Sequence, residues 1–369
     1  MNQQLSSKRN SDSMRKSLNT LGSSVAAVIL ALVICGVLLL ITGKNPLMAY
    51  GKILETGLTS EKFLEMLKRA TPLIFSAIAV AIGFKMNLFN IGVEGQYLFA
   101  ALISAEMGTH VSLPAPLHVL FILIVAMVSG AAWASIAAIL KITRGINEVI
   151  STIMLNYIAL SFIQWIFETF FRDDSDGGLN VKTTEIAPSG RMPDLVHDRL
   201  NGMFIVALFV AFLYWVVVFR SRFGFQLRAS GLNPIAARTA GIPAKRMILF
   251  ALLLSGAVAG LVAMPSVIGD VYAYGPSSTP TQFGFAGITV ALLGRNHPFG
   301  IVVAAMLFGF LDSTSAVLQL SEIPSSIVKV IQAIIVLVVV IVNEASSRRY
   351  NRKIAEQAAL SSKSMDVRS

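Results

Sequence analysis

The chain has 369 residues, 55% of them hydrophobic and 14% charged, with a mean hydropathy of +0.71. A water-soluble domain carries roughly 25% charged residues, so this composition excludes a string of ordinary soluble domains and points to a polytopic helical membrane protein. The single cysteine, Cys35, excludes a disulfide framework. The net charge of +10 sits between apolar blocks, which argues against a nucleic-acid partner.

In chain order, residues 1–20 form a polar, basic tail. The apolar run 21–42 exceeds a usual signal-peptide core and reads as a retained first span. Nine further segments follow: 71–84, 91–108, 117–140, 149–171, 203–219, 247–268, 283–293, 300–318 and 326–342. A straight crossing needs about 20 residues. The second and eighth segments fall short of that and are expected to be broken or re-entrant. Irregular backbone persists at membrane depth only inside protein or beside a wet cavity. Ile53, Leu54, Leu58, Phe63, Leu64 and Leu67 give 52–69 the pattern of a short amphipathic surface helix, or of a plain connector.

With the N-terminus cytoplasmic, twenty of the thirty Lys and Arg residues lie inside and eight outside, with Arg172 and Lys329 set aside. Both termini are then cytoplasmic and the number of spans is even. The domain 21–342 therefore carries an acidic, turn-rich external loop at 172–202, open as a docking surface or a solvated loop. Its longest cytoplasmic loop is 220–246, and the polar tail 343–369 is expected to be partly disordered. Asp312 and Lys329 lie inside the ninth and tenth segments. Burying either charge alone is costly, so they are expected to pair or to share a wet cavity. Charge reversal tests this: Asp312→Lys and Lys329→Asp should each lower the yield of folded protein, and the double swap should restore part of it. Losses that simply add would mean that the two never meet.

The cytoplasmic loop contains "NPIAARTAG". Asn233 is a good N-cap, Pro234 suits the first helical position, and Ala236, Ala237 and Ala240 favour helix. Gly241 supplies the stop. So short a helix is marginal in water and needs a surface to pack on. Its alanines permit close approach, and Arg238 offers a fork for a carboxylate.

Three stretches, "FNIGVEGQ", "GINEVISTIMLNYIA" and "GLNPIAARTAGI", together resemble permeases of ATP-binding-cassette importers of the branched-chain amino acid, ribose and nucleoside type, over about 21–342. Within that group the sequence is most similar to purine nucleoside (guanosine-type) permeases that work with a binding lipoprotein. The resemblance implies a type II importer permease-like fold of about ten transmembrane helices in a bacterial cell membrane. It implies as partners a homologous permease subunit, cytoplasmic ATP-binding subunits and an extracellular substrate-binding lipoprotein. It also implies that Asn233, Pro234, Ala236, Ala237, Arg238 and Gly241 form the helix that docks on the ATPase. A sugar or a branched-chain amino acid remains open as substrate, and an ion-coupled secondary transporter is the alternative class.

No G-x-x-x-x-G-K-[ST] P-loop is present, and "TGKN" at 42–45 lacks the hydroxyl residue after its lysine. His110, His118, His197 and His297 are scattered, without metal-ligand spacing. The chain is therefore expected to be non-catalytic and to bind no cofactor, with ATP used by partner subunits.

Asn90, Glu94 and Gln96 stand between apolar runs. Glu94 is expensive in lipid. It can hold backbone amides at a helix break, line the substrate path, or pair with a base such as Lys85 or Arg295, in that order. Glu148, Thr152, Asn156 and Gln164 share an i+4 row that Leu160 interrupts. The row reads either as interhelical hydrogen bonding or as a path-facing surface, and Thr152 and Asn156 above Glu148 favour the path.

Overall fold

The computed structural model describes residues 29–348 apart from 31, 38, 42, 58, 175–180, 198, 277, 278, 280, 321–326, 343, 344, 346 and 347. The expectations for residues 1–20, and for the tail except Ala345 and Arg348, which are helical, lie outside the described residues.

The chain divides into two compact units, Met1–Leu54 with Ser315–Ser369 and Glu55–Thr314. The first contains α1 (Leu32–Ile41), most of α2 (Pro46–Gly57) and α14 (Ile327–Val342). A turn at Gly43, φ +73°, lets α1 and α2 meet, and the Tyr50 hydroxyl donates to the Leu32 carbonyl at 2.7 Å. Cys35 is buried in this unit. Lys329 is exposed on α14.

The second unit runs through α3 (Ser60–Lys85), α4 (Val93–His110), α5 (Ala115–Arg144), α6 (Glu148–Ile166) and α7 (Met203–Tyr214). It continues with α8 (Arg222–Leu232), α9 (Pro234–Thr239), α10 (Ala244–Gly260), α11 (Met264–Val267), α12 (Phe283–Leu293) and most of α13 (Pro298–Leu320). Helices α6 and α7 each end in a π-helical turn, Phe167–Phe171 and Trp215–Arg220. Asp312 is half-buried on α13.

Helices of the described residues overlap all ten expected segments. Six of them are long and apolar enough to cross a membrane: Ser60–Lys85, Ala115–Arg144, Glu148–Phe171, Met203–Arg220, Ala244–Val267 and Pro298–Ser315. Val93–His110, which carries Glu94, Gln96 and Glu106, is not among the six, and the eighth segment stays an 11-residue helix.

The second segment is a correction. It is neither short nor broken but the buried end of a continuous 26-residue helix. Its first turns hold Lys62, Glu65 and Arg69, charges that interrupt the apolar run in sequence. Glu65 pairs with Lys62 and with Arg69 at 2.6 Å each within the helix. Pro72 removes one backbone hydrogen bond without ending the helix. The surface helix expected over 52–69 does not form as one piece, because the chain divides it between α2 and α3.

Every residue from Ala70 to Gly83 is buried. A helix covered on all sides is a central one, and α7, α10 and α12 pack around α3. Helix α10 also crosses α5 at Gly256 and Gly260. A Cβ on Gly260 would run into the Ala126 carbonyl oxygen, and one on Gly256 into the Ala134 methyl. The pair is a G-x-x-x-G contact, which brings backbones together where lipid gives no hydrophobic drive.

The described residues of the 172–202 loop are anchored rather than free. The amides of Thr183 and Ile186 donate to the carbonyls of Tyr274 and Tyr272 at 2.8 and 2.7 Å, and Met192 donates to Ile268 at 2.7 Å. His118 joins Ser189, at 2.8 Å, to the Gly108 carbonyl, at 2.9 Å. Strands β1 (Asp194–Val196) and β2 (Leu200–Asn201) close a small antiparallel hairpin. Beside it, a hydrogen bond from Lys182, together with the charges of Lys182 and Arg191, holds the Glu185 carboxyl below the usual carboxylate range.

Candidate functional site

Glu94 opens α4, and its carboxylate also holds the start of α12. Oε1 accepts the Gln282 amide at 2.5 Å and the Tyr97 hydroxyl at 2.7 Å, while Oε2 accepts the Gly284 amide at 2.8 Å. A helix N-terminus carries unpaired N–H groups and partial positive charge. One carboxylate thus serves two helix starts. Gln282 lies in the left-handed region, φ +70°, where the chain turns into α12. Gly284 is required because a Cβ there would stand 2.9 Å from the Glu94 amide nitrogen. The first role weighed for Glu94, holding backbone amides at the break before α4, is met in kind but not in place, since the amides it holds belong to the start of α12. Lys85 instead places its ammonium 5.0 Å from the Phe219 ring centre.

Asn90 and Gln96 form a reciprocal amide pair. Asn90 Nδ2 donates to Gln96 Oε1 at 3.0 Å, and Gln96 Nε2 donates to Asn90 Oδ1 at 3.1 Å. Asn90 also donates to Ser255 Oγ at 2.8 Å and accepts the Gly92 amide at 3.0 Å. The Ser255 hydroxyl donates to the Ala79 carbonyl at 2.6 Å, tying the turn before α4 to α10 and α3. Both side-chain amides are buried, and their mutual pairing offsets the cost of burying them in a low dielectric.

The α6 row joins this network in part. Asn156 Nδ2 donates to the Ile91 carbonyl at 2.8 Å, and its Oδ1 accepts the Gly95 amide at 2.9 Å. Thr152 is buried and donates to the Glu148 carbonyl at 2.7 Å. Glu148, also buried, meets Lys141 at 2.6 Å across the turn between α5 and α6. Gln164 stands apart, exposed, and donates to Glu168 at 2.9 Å. The structure therefore groups Asn90, Gln96, Thr152 and Asn156 and separates Gln164. Asn156→Leu would leave the Ile91 carbonyl and the Gly95 amide unpaired, at about 1–3 kcal/mol each. The expected result is a lower melting temperature of the purified chain, with uptake falling alongside it. Unchanged melting with reduced uptake would return Asn156 to the path alone.

Sequence reasoning missed Ser255, Tyr97, Gln282 and Gly284. Ser255 immediately precedes the G-x-x-x-G pair, and a hydroxyl beside such a contact was the available signal. Nothing local marks the other three.

On the loop between α7 and α10, Asn233 Oδ1 accepts the amides of Ile235 and Ala236 at 3.0 Å each, Pro234 opens α9, and Gly241 follows it at φ +79°. Ala237 does not present itself for docking. It is 4% exposed and packs with Met86, Leu88, Leu227, Ile242 and Met247 of the chain's own core. A six-residue helix on a surface must turn one side inward, and this is that side. The outward residues are Leu232 and Ile235, 88% and 76% exposed, with Ala236 and Arg238 also exposed. The outward face is therefore substantially apolar.

The family model for the branched-chain amino acid transport system / permease component matches residues 63–340. Among individual proteins, the guanosine ABC transporter permease protein NupP of Bacillus subtilis is 37% identical over 335 residues, covering 88% of this chain and 94% of its own. The nucleoside ABC transporter permease protein NupB of Lactococcus lactis is 32% identical, covering 84% and 88%. The glucose ABC transporter permease protein TsgB13 of Haloferax volcanii is also 32% identical, covering 86% of each chain. The match across these residues, on a chain with six membrane-length apolar helices among its described residues, places it in the branched-chain amino acid transport system permease family, as a multi-pass membrane protein.

Proposed function

We propose that the chain is the membrane-spanning permease subunit of an ATP-driven importer for nucleosides, purine nucleosides above all. The observation that carries this reading is the 37% identity to a guanosine permease along nearly the whole of both chains. Ten spans with both termini cytoplasmic, in a type II importer permease-like fold within a bacterial cell membrane, complete the picture. An external binding lipoprotein delivers substrate, a homologous permease subunit forms the other half of the path, and separate subunits hydrolyse ATP.

The outward face of α9 docks on an ATP-binding subunit. ATP-driven closure moves α9, and α8 and the Met86–Leu88 turn packed beside it carry that motion toward the Asn90–Glu94 break. The hydrogen-bonded groups at Asn90, Glu94, Gln96, Thr152 and Asn156 set the wall beside the path, and Glu148 with Lys141 fixes its inner end. A sugar is the second reading, because a glucose permease matches at 32% identity. Cells that lack other nucleoside uptake and express this chain with its native partners separate the two. Labelled guanosine should accumulate, and excess adenosine but not glucose should block it. Accumulation blocked by glucose would select the sugar reading.

A further inference from the structure

A cleft of about 600 Å³ opens between the first turns of α3, the residues around the β1–β2 hairpin and the 262–270 stretch. That volume lies within the roughly 300–1,000 Å³ usual for small-molecule sites. Pro72, Val262, Pro265 and Phe283 give it apolar lining. Its polar wall is built from pairs: Lys68 with Asp270 at 2.7 Å, Arg199 with Glu61 at 2.8 Å, and Glu65 with Lys62 and Arg69 at 2.6 Å each. Four cations face three carboxylates here, Glu65 serving two of them, so the wall is nearly balanced and offers donor and acceptor edges to a neutral ligand.

We propose that this cleft binds a neutral nucleoside, its base on the Phe283 ring and its ribose hydroxyls on the Asp270 and Glu65 carboxylates, at the external end of the path. The inference rests on the nucleoside reading above. An apolar face with a few convergent polar groups is the chemistry that a base and a vicinal diol require, and aromatic rings hold bases by stacking. The position adds to the argument. Phe283 is the first residue of α12, its carbonyl accepts the Ser76 hydroxyl of α3 at 2.6 Å, and the next amide is held by Glu94. A base resting on Phe283 therefore touches the element whose start is clasped by α4, so occupancy of the cleft is coupled to the helix break.

The test uses the complete transporter in intact cells. Ser266 lines the cleft, and replacing the one native cysteine by Cys35→Ser gives a clean background for Ser266→Cys. A membrane-impermeant methanethiosulfonate reagent should modify this variant and abolish guanosine uptake, and saturating guanosine should slow the modification. Phe283→Ala should raise the KM for uptake about tenfold, the loss of one base–ring stack, while Phe283→Tyr stays near the parent value. Modification that leaves uptake intact, or a rate indifferent to guanosine, overturns the site while guanosine import by the parent leaves the nucleoside reading standing. A parent that imports no nucleoside overturns that reading first, and the site with it.

Discussion

Glu94→Ala should remove most of the folded protein from the membrane. The substitution leaves the buried Gly284 amide without its acceptor, takes one partner from the Tyr97 hydroxyl, and removes the anion from two helix starts. Unpaired buried groups cost about 1–3 kcal/mol each, and more where the lost partner was charged. That loss, added to the missing anion, is a sizeable share of the roughly 5–15 kcal/mol that holds an ordinary domain folded. Glu94→Gln keeps one carbonyl oxygen for one amide and should fall between alanine and the parent. Melting of the detergent-purified chain orders the three. An alanine variant that melts with the parent would mean that the carboxylate does not secure α12.

Ile235→Asp should leave the permease intact and disconnect it from ATP hydrolysis. Ile235 is 76% exposed in the isolated chain, so a carboxylate there costs the fold little. Against a partner groove the same change forfeits the burial of a large apolar side chain, about 1.5–3 kcal/mol, and places a charge there instead. The ATP-binding subunit should co-purify at least about tenfold less well, and uptake should fall with it. Ala237→Trp behaves differently. The sequence suggests a substitution that uncouples while sparing insertion, but Ala237 is buried in the chain's own core cluster, so the indole has no room and the loss should appear as unfolding. Retained co-purification and uptake in Ile235→Asp would move the docking surface elsewhere on the loop.

Features written in neighbouring residues were legible in the sequence. Asn233, Pro234 and Gly241 spelled α9 with both ends, because capping depends on three or four adjacent positions. The apolar blocks marked where helices lie. Features that depend on distant chain were not legible. The acceptor at Glu94 meets amides 188 and 190 residues away, and no local pattern in "VEGQ" names Gln282 or Gly284. The inward side of α9 was hidden for the same reason, since the core cluster that takes in Ala237 includes Met86 and Leu88 from the turn after α3. The length of α3 was obscured differently. Hydropathy scores Lys62, Glu65, Lys68, Arg69 and Pro72 as a break, whereas ion pairing along the helix and to Asp270 lets the helix run through them.

The central claim, ATP-driven nucleoside import, is tested most directly by guanosine uptake into proteoliposomes. These would hold this chain with its partner permease and ATP-binding subunits, and the binding lipoprotein on the far side. Accumulation should require ATP on the side of α9, stop when the ATP-binding subunit is left out, and persist when an ionophore collapses ion gradients. Uptake that ignores ATP and disappears with the ionophore would contradict the account and make the chain an ion-coupled transporter.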